Sequence, residues 1–435
     1  MTLRKKPVVG IVHSASSRNT STGEDLAIFL GVSLQLGGYS DVRIVGFSGS
    51  SNTSQGSRTR STRSGRFLVV PYGGDKPVFP NHAECCRDEW DTLATCNMIV
   101  VFVDPADSPA CAEALSAVVE KGADLAIIVF DLSVRNHASF EKHLEGRGVI
   151  VLAGAVGINV AKSPVDGHLR CLGTGSLVVE RLSKDQSKRG LKFVNLLRSG
   201  KIPVIHCKNV SSYAHGAIVF NTAHATAALA GIPLRELLRH QEARFLWAAM
   251  IREGLQVLTL AAKGGDWRAV NPCCSLTLRQ LELFVCMPTT FFSLASRLVL
   301  RFPAKLAPAM QTDLAVGRET AVEWTLGEIL RIADKHKAAT PACRAVFAEV
   351  NRRVKRGDGV PSTRPKALPF TDELRARGSN SARALYKKLI VWSCSMALGT
   401  TVVGIAGGVW VALLGLVVAT IVAVVKYAVM GDVVP

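Results

Sequence analysis

Between residues 7 and 200 short apolar strands alternate with helical stretches, and that alternation limits the chain more than any other feature. The strand candidates are Val8–Val12, Val42–Val45, Phe67–Val70, Met98–Val103, Leu125–Phe130 and Val149–Leu152, with helical stretches such as Leu26–Leu36 and Cys111–Glu120 between them. Neighbouring parallel strands need a crossover, and a helix is the usual one, so the pattern predicts a mostly parallel sheet with helices on both faces. From about Tyr213 long helical runs take over: Ile218–Ala230, Leu234–Ala262, Leu276–Phe284, Met310–Lys337 and Pro341–Lys355. The expectation is an α/β domain over residues 1–212 and an all-α domain over 213–352.

A second constraint lies near the C-terminus. Leu389–Val425 is 37 residues long without one charge, flanked by Lys387 and Lys388 on one side and Lys426 on the other. As one helix it would reach about 55 Å, against a hydrocarbon core of about 30 Å. It fits either two short spans folded back at Gly407-Gly408, or one tilted span preceded by an interfacial segment carrying Trp392; Trp410 lies further along the run. Gly404 and Gly408 have the spacing that lets helices approach closely in lipid. Residues 389–426 are therefore read as a transmembrane segment of one or two spans, and 427–435 as a short tail.

The chain is basic as well as apolar: Lys and Arg total 52 against 34 acids, a net charge of +18, with mean hydropathy +0.24. Residues 352–388 hold eleven basic side chains against three acids, and with Pro361, Pro365 and Pro369 the stretch 353–388 reads as a basic linker. A juxtamembrane segment of this kind suits anionic lipid and retention of the positive side. A second basic run, residues 48–66, has four arginines among Ser, Thr and Gly and reads as a flexible loop. It lacks interleaved aromatics for base stacking, which argues against nucleic acid. The eleven cysteines include no CxxC pair, so a zinc ribbon is excluded and a reducing compartment is expected. The start, MTLRKKPVVGIVHS, leaves no room for a signal-peptide apolar region before the first strand.

Three stretches resemble one family. Gly154–Glu180 is similar to the sheet-closing segment of 2-dehydropantoate 2-reductases, also called ketopantoate reductases; Ala217–Leu238 to the start of their helical domain; and Ala309–Pro341 to their last block. The order and spacing agree from about residue 7 to 352. The resemblance implies a Rossmann-like α/β domain followed by a 6-phosphogluconate-dehydrogenase-like helical domain, and reduction of a keto acid by NADPH.

That chemistry needs a dinucleotide site, a proton donor and a carboxylate binder. In the family the first strand leads into GxGxxG, which brings backbone N–H groups to the pyrophosphate. The matching turn here is taken as Gly10 to Ser16. Gly10 alone survives as a vestige, Gly23 lies too far along, and His13 and Ala15 would crowd a phosphate. Phe47 stands nearest the arginine that holds the 2′-phosphate, Asp104 replaces a lysine, and Ser133-Val134 replaces an Asn-Gly. The proton-donating lysine, one turn before Asn221, is matched by Ala217; the substrate-binding serine by Ala309; the glutamate of the last block by Ala321. Glu323 falls about 200° around a helix from Ala321, on another face, and does not replace it.

Asn221 and His224 remain as residual site candidates. The first is read chiefly as a structural hydrogen-bonding group and the second as a structural histidine, although His224 could serve as a replacement acid. His13 and His215 have the same status. Gly173-Thr174-Gly175 opens no helix and reads as a tight turn. Cys273-Cys274 is a poor zinc pair, and Pro341 marks a helix start.

The sequence therefore points to a catalytically inactive, membrane-anchored member of the family, serving as accessory or scaffold subunit of a membrane complex. No cofactor is expected, and the preferred setting is the mitochondrial inner membrane. Its partners would be the membrane, anionic lipid at the basic linker and other subunits. The rival is an active NADPH-dependent reductase of 2-dehydropantoate or another 2-keto acid tethered to a membrane, which requires NADP(H) and a new proton donor such as His224.

Overall fold

The computed structural model describes residues 8–14, 22–37, 41–47, 69–72, 90–120, 125–131, 136–162, 167–172, 174–182, 187–262, 268–287, 289, 292–293, 295–296, 300, 308–357, 370–380 and 382–387. The basic run 48–66 and the charge-free segment from Leu389 onward, with Lys388, Trp392, Gly404, Gly408 and Trp410, lie outside them. Among the described residues no helix is long and apolar enough to cross a membrane.

Seven strands form the main sheet in the order β10-β9-β6-β5-β4-β1-β2. They are β1 (Val9–Ser14), β2 (Val42–Phe47), β4 (Met98–Phe102), β5 (Ala126–Asp131), β6 (Ile150–Val156), β9 (Leu177–Glu180) and β10 (Val204–Cys207). The first five are mutually parallel; β9 pairs with β6 antiparallel, Gly154 opposite Val179. The strands read as unbroken apolar runs because both faces are covered. Alternate side chains feed two cores. Ile11, Val100, Phe102, Ile128 and Phe130 pack toward α1 (Thr22–Leu36) and α4 (Ser187–Ser199). Val12, Val101, Ile127 and Val129 pack toward α2 (Ser108–Val118) and α3 (Asn136–Leu144). A smaller sheet of β3 (Val69–Val70), β8 (Leu169–Leu172) and β7 (Asn159–Lys162) fills the loop between β6 and β9. The six expected strands all form, whereas β7–β10, of four residues each, are too short to have shown a pattern.

The helical domain begins earlier than residue 213. Helix α5 (Val210–Ala230) starts at Asn209, whose side chain accepts from the Ser212 N–H, and ends at Gly231, left-handed at φ 70°. Such a C-cap is what glycine tolerates and other residues do not. A boundary at 212/213 therefore cuts a helix. Two long runs also divide. Leu234–Ala262 becomes α6 (Leu234–Leu237) and α7 (Gln241–Ala261), with a break at Leu238–His240. Met310–Lys337 becomes α9 (Ala309–Ala315) and α10 (Val322–Lys335), interrupted after Gly317 at φ 69°. Apolar periodicity is blind to a break that keeps both pieces on the same core. Helices α8 (Leu278–Val285) and α11 (Pro341–Arg356) complete the set around Trp247, fully buried and edge-on to Phe220 at 5.6 Å.

The stretch expected as a linker needs correction. Residues 372–380 and 382–387 are helical. Phe370 and Leu374 belong to the helical core, Ala382 and Tyr386 are buried, and Arg375 reaches Glu242 at 2.9 Å. The apolar residues sit at spacings of four, enough for one buried stripe, so the many charges occupy only the outer face.

Candidate functional site

In an open α/β sheet the ligand crevice lies at the carboxyl ends of the strands where the order reverses. Here that point is between β1 and β4, with Val9 opposite Met98 and His13 opposite Phe102. Strand β1 runs through Ser14, four residues past Gly10. Gly10 is therefore not a cofactor glycine. A Cβ on it would stand 2.7 Å from Leu93 Cδ2, so it serves the close packing of the 3₁₀ turn Trp90–Thr95 under the strand. Residues 15–21, between the end of β1 and the start of α1, lie outside the described residues. Gly23, set aside as too distant, begins α1 with its Cβ position 3.1 Å from the Phe102 carbonyl oxygen. This is the tight helix–strand approach that the last glycine of a dinucleotide turn provides.

The crevice is lined by acids. The Ser14 hydroxyl donates to the Asp107 carboxylate at 2.9 Å and accepts from the Asp104 N–H at 2.9 Å. Asp104 is buried, and Glu24 and Asp25 occupy the first turn of α1. The carboxyl ends of β1 and β2 carry Ser14 and Phe47, and Asp104 lies two residues past β4, none of them basic. Phe47, where the resemblance implies a 2′-phosphate arginine, lies edge-on to Trp90 at 5.5 Å. Glu24 and Asp25 put two carboxylates at the end of α1 where its dipole favours negative charge, and they would repel a phosphate there. Among the described residues, the start of α1, the N-cap of α2 and the end of β4 offer acids rather than cations to a dinucleotide's phosphates. The buried Asn136 amide donates to the Val103 carbonyl at 2.9 Å, tying α3 to the same strand ends. His13 is buried, with its Nδ1 at 3.0 Å from the Ser14 carbonyl, and so turns away from the crevice toward its own backbone.

The second half of the site lies on α5. Ala217, Asn221 and His224 follow at intervals of four and three and share one face. Ala217 is buried, and Asn221 makes no side-chain hydrogen bond to another described residue. Across the domain junction the Asn159 amide of β7 stands 3.3 Å from His224 Nε2. Burial lowers the His224 pKa to about 4, so the ring is neutral at pH 7 and Nε2 accepts the amide proton. With Nε2 engaged as an acceptor the ring keeps its single proton on Nδ1, and the imidazolium that would serve as a general acid is not populated at pH 7. His215, one turn before the site, has its Nδ1 on the Ser211 carbonyl at 2.7 Å, and burial lowers its pKa as well. Ala309 opens α9 and Ala321 caps α10 through its backbone, accepting from the Thr325 hydroxyl at 3.2 Å. Glu323 is exposed and leans on Gly327 of its own helix, as its position around the helix requires. Cys273 and Cys274 are buried in a turn held by Asn271, and burial raises both thiols. No metal cluster occurs among the described residues. Gly175 closes against Gly157, where a Cβ would come within 1.9 Å of a carbonyl oxygen; Gly173 lies outside the described residues.

Residues 211–354 match the family model described as ketopantoate reductase PanE/ApbA C terminal. The fold resembles a PanE/ApbA family ketopantoate reductase from Ralstonia eutropha JMP134, with TM-score 0.54 and 17% identity over 80% of this chain and 99% of that one. It resembles D-mandelate dehydrogenase, solved as a ternary structure with NADH and anilino(oxo)acetate, with TM-score 0.56 and 13% identity over 80% and 99%. A 2-dehydropantoate 2-reductase from Geobacter metallireducens GS-15 gives 0.54 and 13% over 79% and 99%. At these identities the likeness is one of fold. No curated protein matches the sequence.

Proposed function

We propose that the chain is a ketopantoate-reductase-like protein whose reductase site has been vacated, retained as a membrane-anchored accessory or scaffold subunit. The observation that carries this reading is the acidic crevice. Ser14 is held between Asp104 and Asp107, with Glu24 and Asp25 opening the adjoining helix, where a reductase of this fold would receive phosphate. The alanines at 217, 309 and 321 agree with it, as does a neutral His224. The anchor rests on Leu389–Val425, and the partners in view are anionic lipid and other subunits of a membrane complex, preferably in the mitochondrial inner membrane. Neither NADP(H) nor nucleic acid has a part in this reading.

The test is titration of the detergent-solubilised full chain with NADPH, followed by nicotinamide fluorescence. No saturable change at micromolar protein is expected. Saturable binding with turnover of 2-dehydropantoate, or of another 2-keto acid, would overturn the reading. It would favour the second one, a membrane-tethered NADPH-dependent reductase. The feature on that side is Gly23, which keeps the close helix–strand contact of a dinucleotide fold.

A further inference from the structure

We propose that the end of the helical domain formed by the last turn of α8 and by helical residues 372–380 and 382–387 faces the bilayer, with Leu283 and Met287 in contact with lipid. The inference rests on the membrane reading above and adds to it an orientation for the body.

The root of the apolar segment is built into the fold. Gly378 lies so close to α7 that a Cβ on it would stand 2.8 Å from the Leu246 nitrogen. Tyr386 is buried, its ring edge-on to Phe245 at 6.4 Å, and its hydroxyl donates to the Cys286 carbonyl. The carbonyls on either side of Cys286 belong to Val285 and Met287, and both accept from the buried Arg244 guanidinium at 3.0 Å. Three successive carbonyls at the end of α8 are thus held by side chains from two other helices. Leu389 follows Tyr386 by three residues, at most about 11 Å of chain. A segment that enters lipid at Leu389 brings the Cys286–Met287 turn with it.

The surface at that turn suits the position. Leu283 in the last turn of α8 and Met287 in the turn that follows it are 41% and 40% exposed. Arg383 and Lys387, four apart, are exposed on the helix that ends there. Exposed apolar side chains on one segment and exposed cations on the other, the two joined by the Tyr386–Cys286 hydrogen bond, match the boundary between acyl chains and anionic headgroups. The occupant is therefore a bilayer containing anionic lipid.

The full chain is reconstituted into vesicles of phosphatidylcholine and phosphatidylserine in a four-to-one ratio. The photo-crosslinking residue p-benzoylphenylalanine is placed singly at Leu283, Met287, Leu36 or Leu191. The last two are exposed positions of the α/β domain. After flotation and illumination, lipid adducts are counted by mass spectrometry. The proposal expects several-fold more adduct at 283 and 287 than at 36 and 191. Equal or lower adduct at 283 and 287 in protein that floats with the vesicles overturns the orientation and leaves the anchor standing. Protein that fails to float overturns the membrane reading, and the orientation with it. A variant that misfolds at one position is replaced by its partner at the other, since either alone decides the comparison.

Discussion

The Asn159 amide donates to Nε2 of His224 at 3.3 Å, joining the small sheet of the α/β domain to the first long helix of the other. The bond requires a neutral imidazole, and burial supplies one by lowering the His224 pKa to about 4. A position that could have held a proton donor instead holds a link between domains.

This link makes stability pH-dependent in a known direction. The folded pKa lies below the unfolded value of 6.5, so no cost arises above pH 6.5. As pH falls from there toward 4 the unfolded chain takes up a proton that the fold refuses, and stability declines. The difference in urea midpoint between wild type and His224→Gln should narrow over this interval. A difference that stays constant from pH 7 to pH 5 would remove the assigned shift.

Asp313 acts in the opposite direction. Burial raises its carboxyl from 3.8 to about 6, against a partial pull downward from Arg318, which stands 3.4 Å away. Between pH 4 and 6 the native state keeps a proton that the unfolded chain has lost, so stability falls as pH rises and then levels off. Asp313→Asn should lack this fall, a difference of about 2 kcal/mol between pH 4 and pH 7. Urea unfolding of both proteins at the two pH values measures it.

Glu253 of α7 caps a helix to which it does not belong. Its two oxygens accept from the Ala342 and Cys343 N–H groups at 2.8 and 2.9 Å, while Thr340 at the cap position provides no side-chain bond. Glu253→Ala should cost about 2–3 kcal/mol, since it strands two buried donors. Glu253→Gln should cost less, because one acceptor remains. A loss below about 0.5 kcal/mol in chemical denaturation of the alanine variant would show that water serves equally well.

Gly216 is required for close approach rather than for conformation. A Cβ there would stand 1.8 Å from the Val270 carbonyl oxygen, on a segment pinned by the Val270 N–H to the Ser212 carbonyl at 2.9 Å. Gly216→Ala should destabilise the domain by about 3 kcal/mol or more. Thermal unfolding that shows an unchanged midpoint would contradict the packing described.

Much of the architecture was legible because it rests on patterns that a chain carries locally. Strands covered on both faces must be apolar throughout, so β1, β4 and β5 announce themselves; α5 does so by its long run of mostly small and apolar residues. The site was less legible. The resemblance puts a phosphate turn at Gly10, because in the family the first strand leads into one. The strand in fact continues through His13 and Ser14, and the glycine answers Leu93, which is 83 residues away in sequence. Gly23 was set aside by counting residues, yet its contact with Phe102 comes through space. The acid at Asp104 could be read directly; its link to Asp107 through Ser14 could not.

Taken alone, the sequence determined the division into an α/β half and a helical half, the alanines where a reductase of this resemblance has chemistry, and a long charge-free run at the end. These depend on residue type and periodicity, which folding does not alter. Only the tertiary structure decided that residues 372–380 and 382–387 are part of the helical body. A basic, proline-bearing stretch looks like a linker until the spacing of Phe370, Leu374, Ala382 and Tyr386 meets a surface that fits it. Burial is a property of pairs of surfaces, and one strand of sequence holds half of each pair.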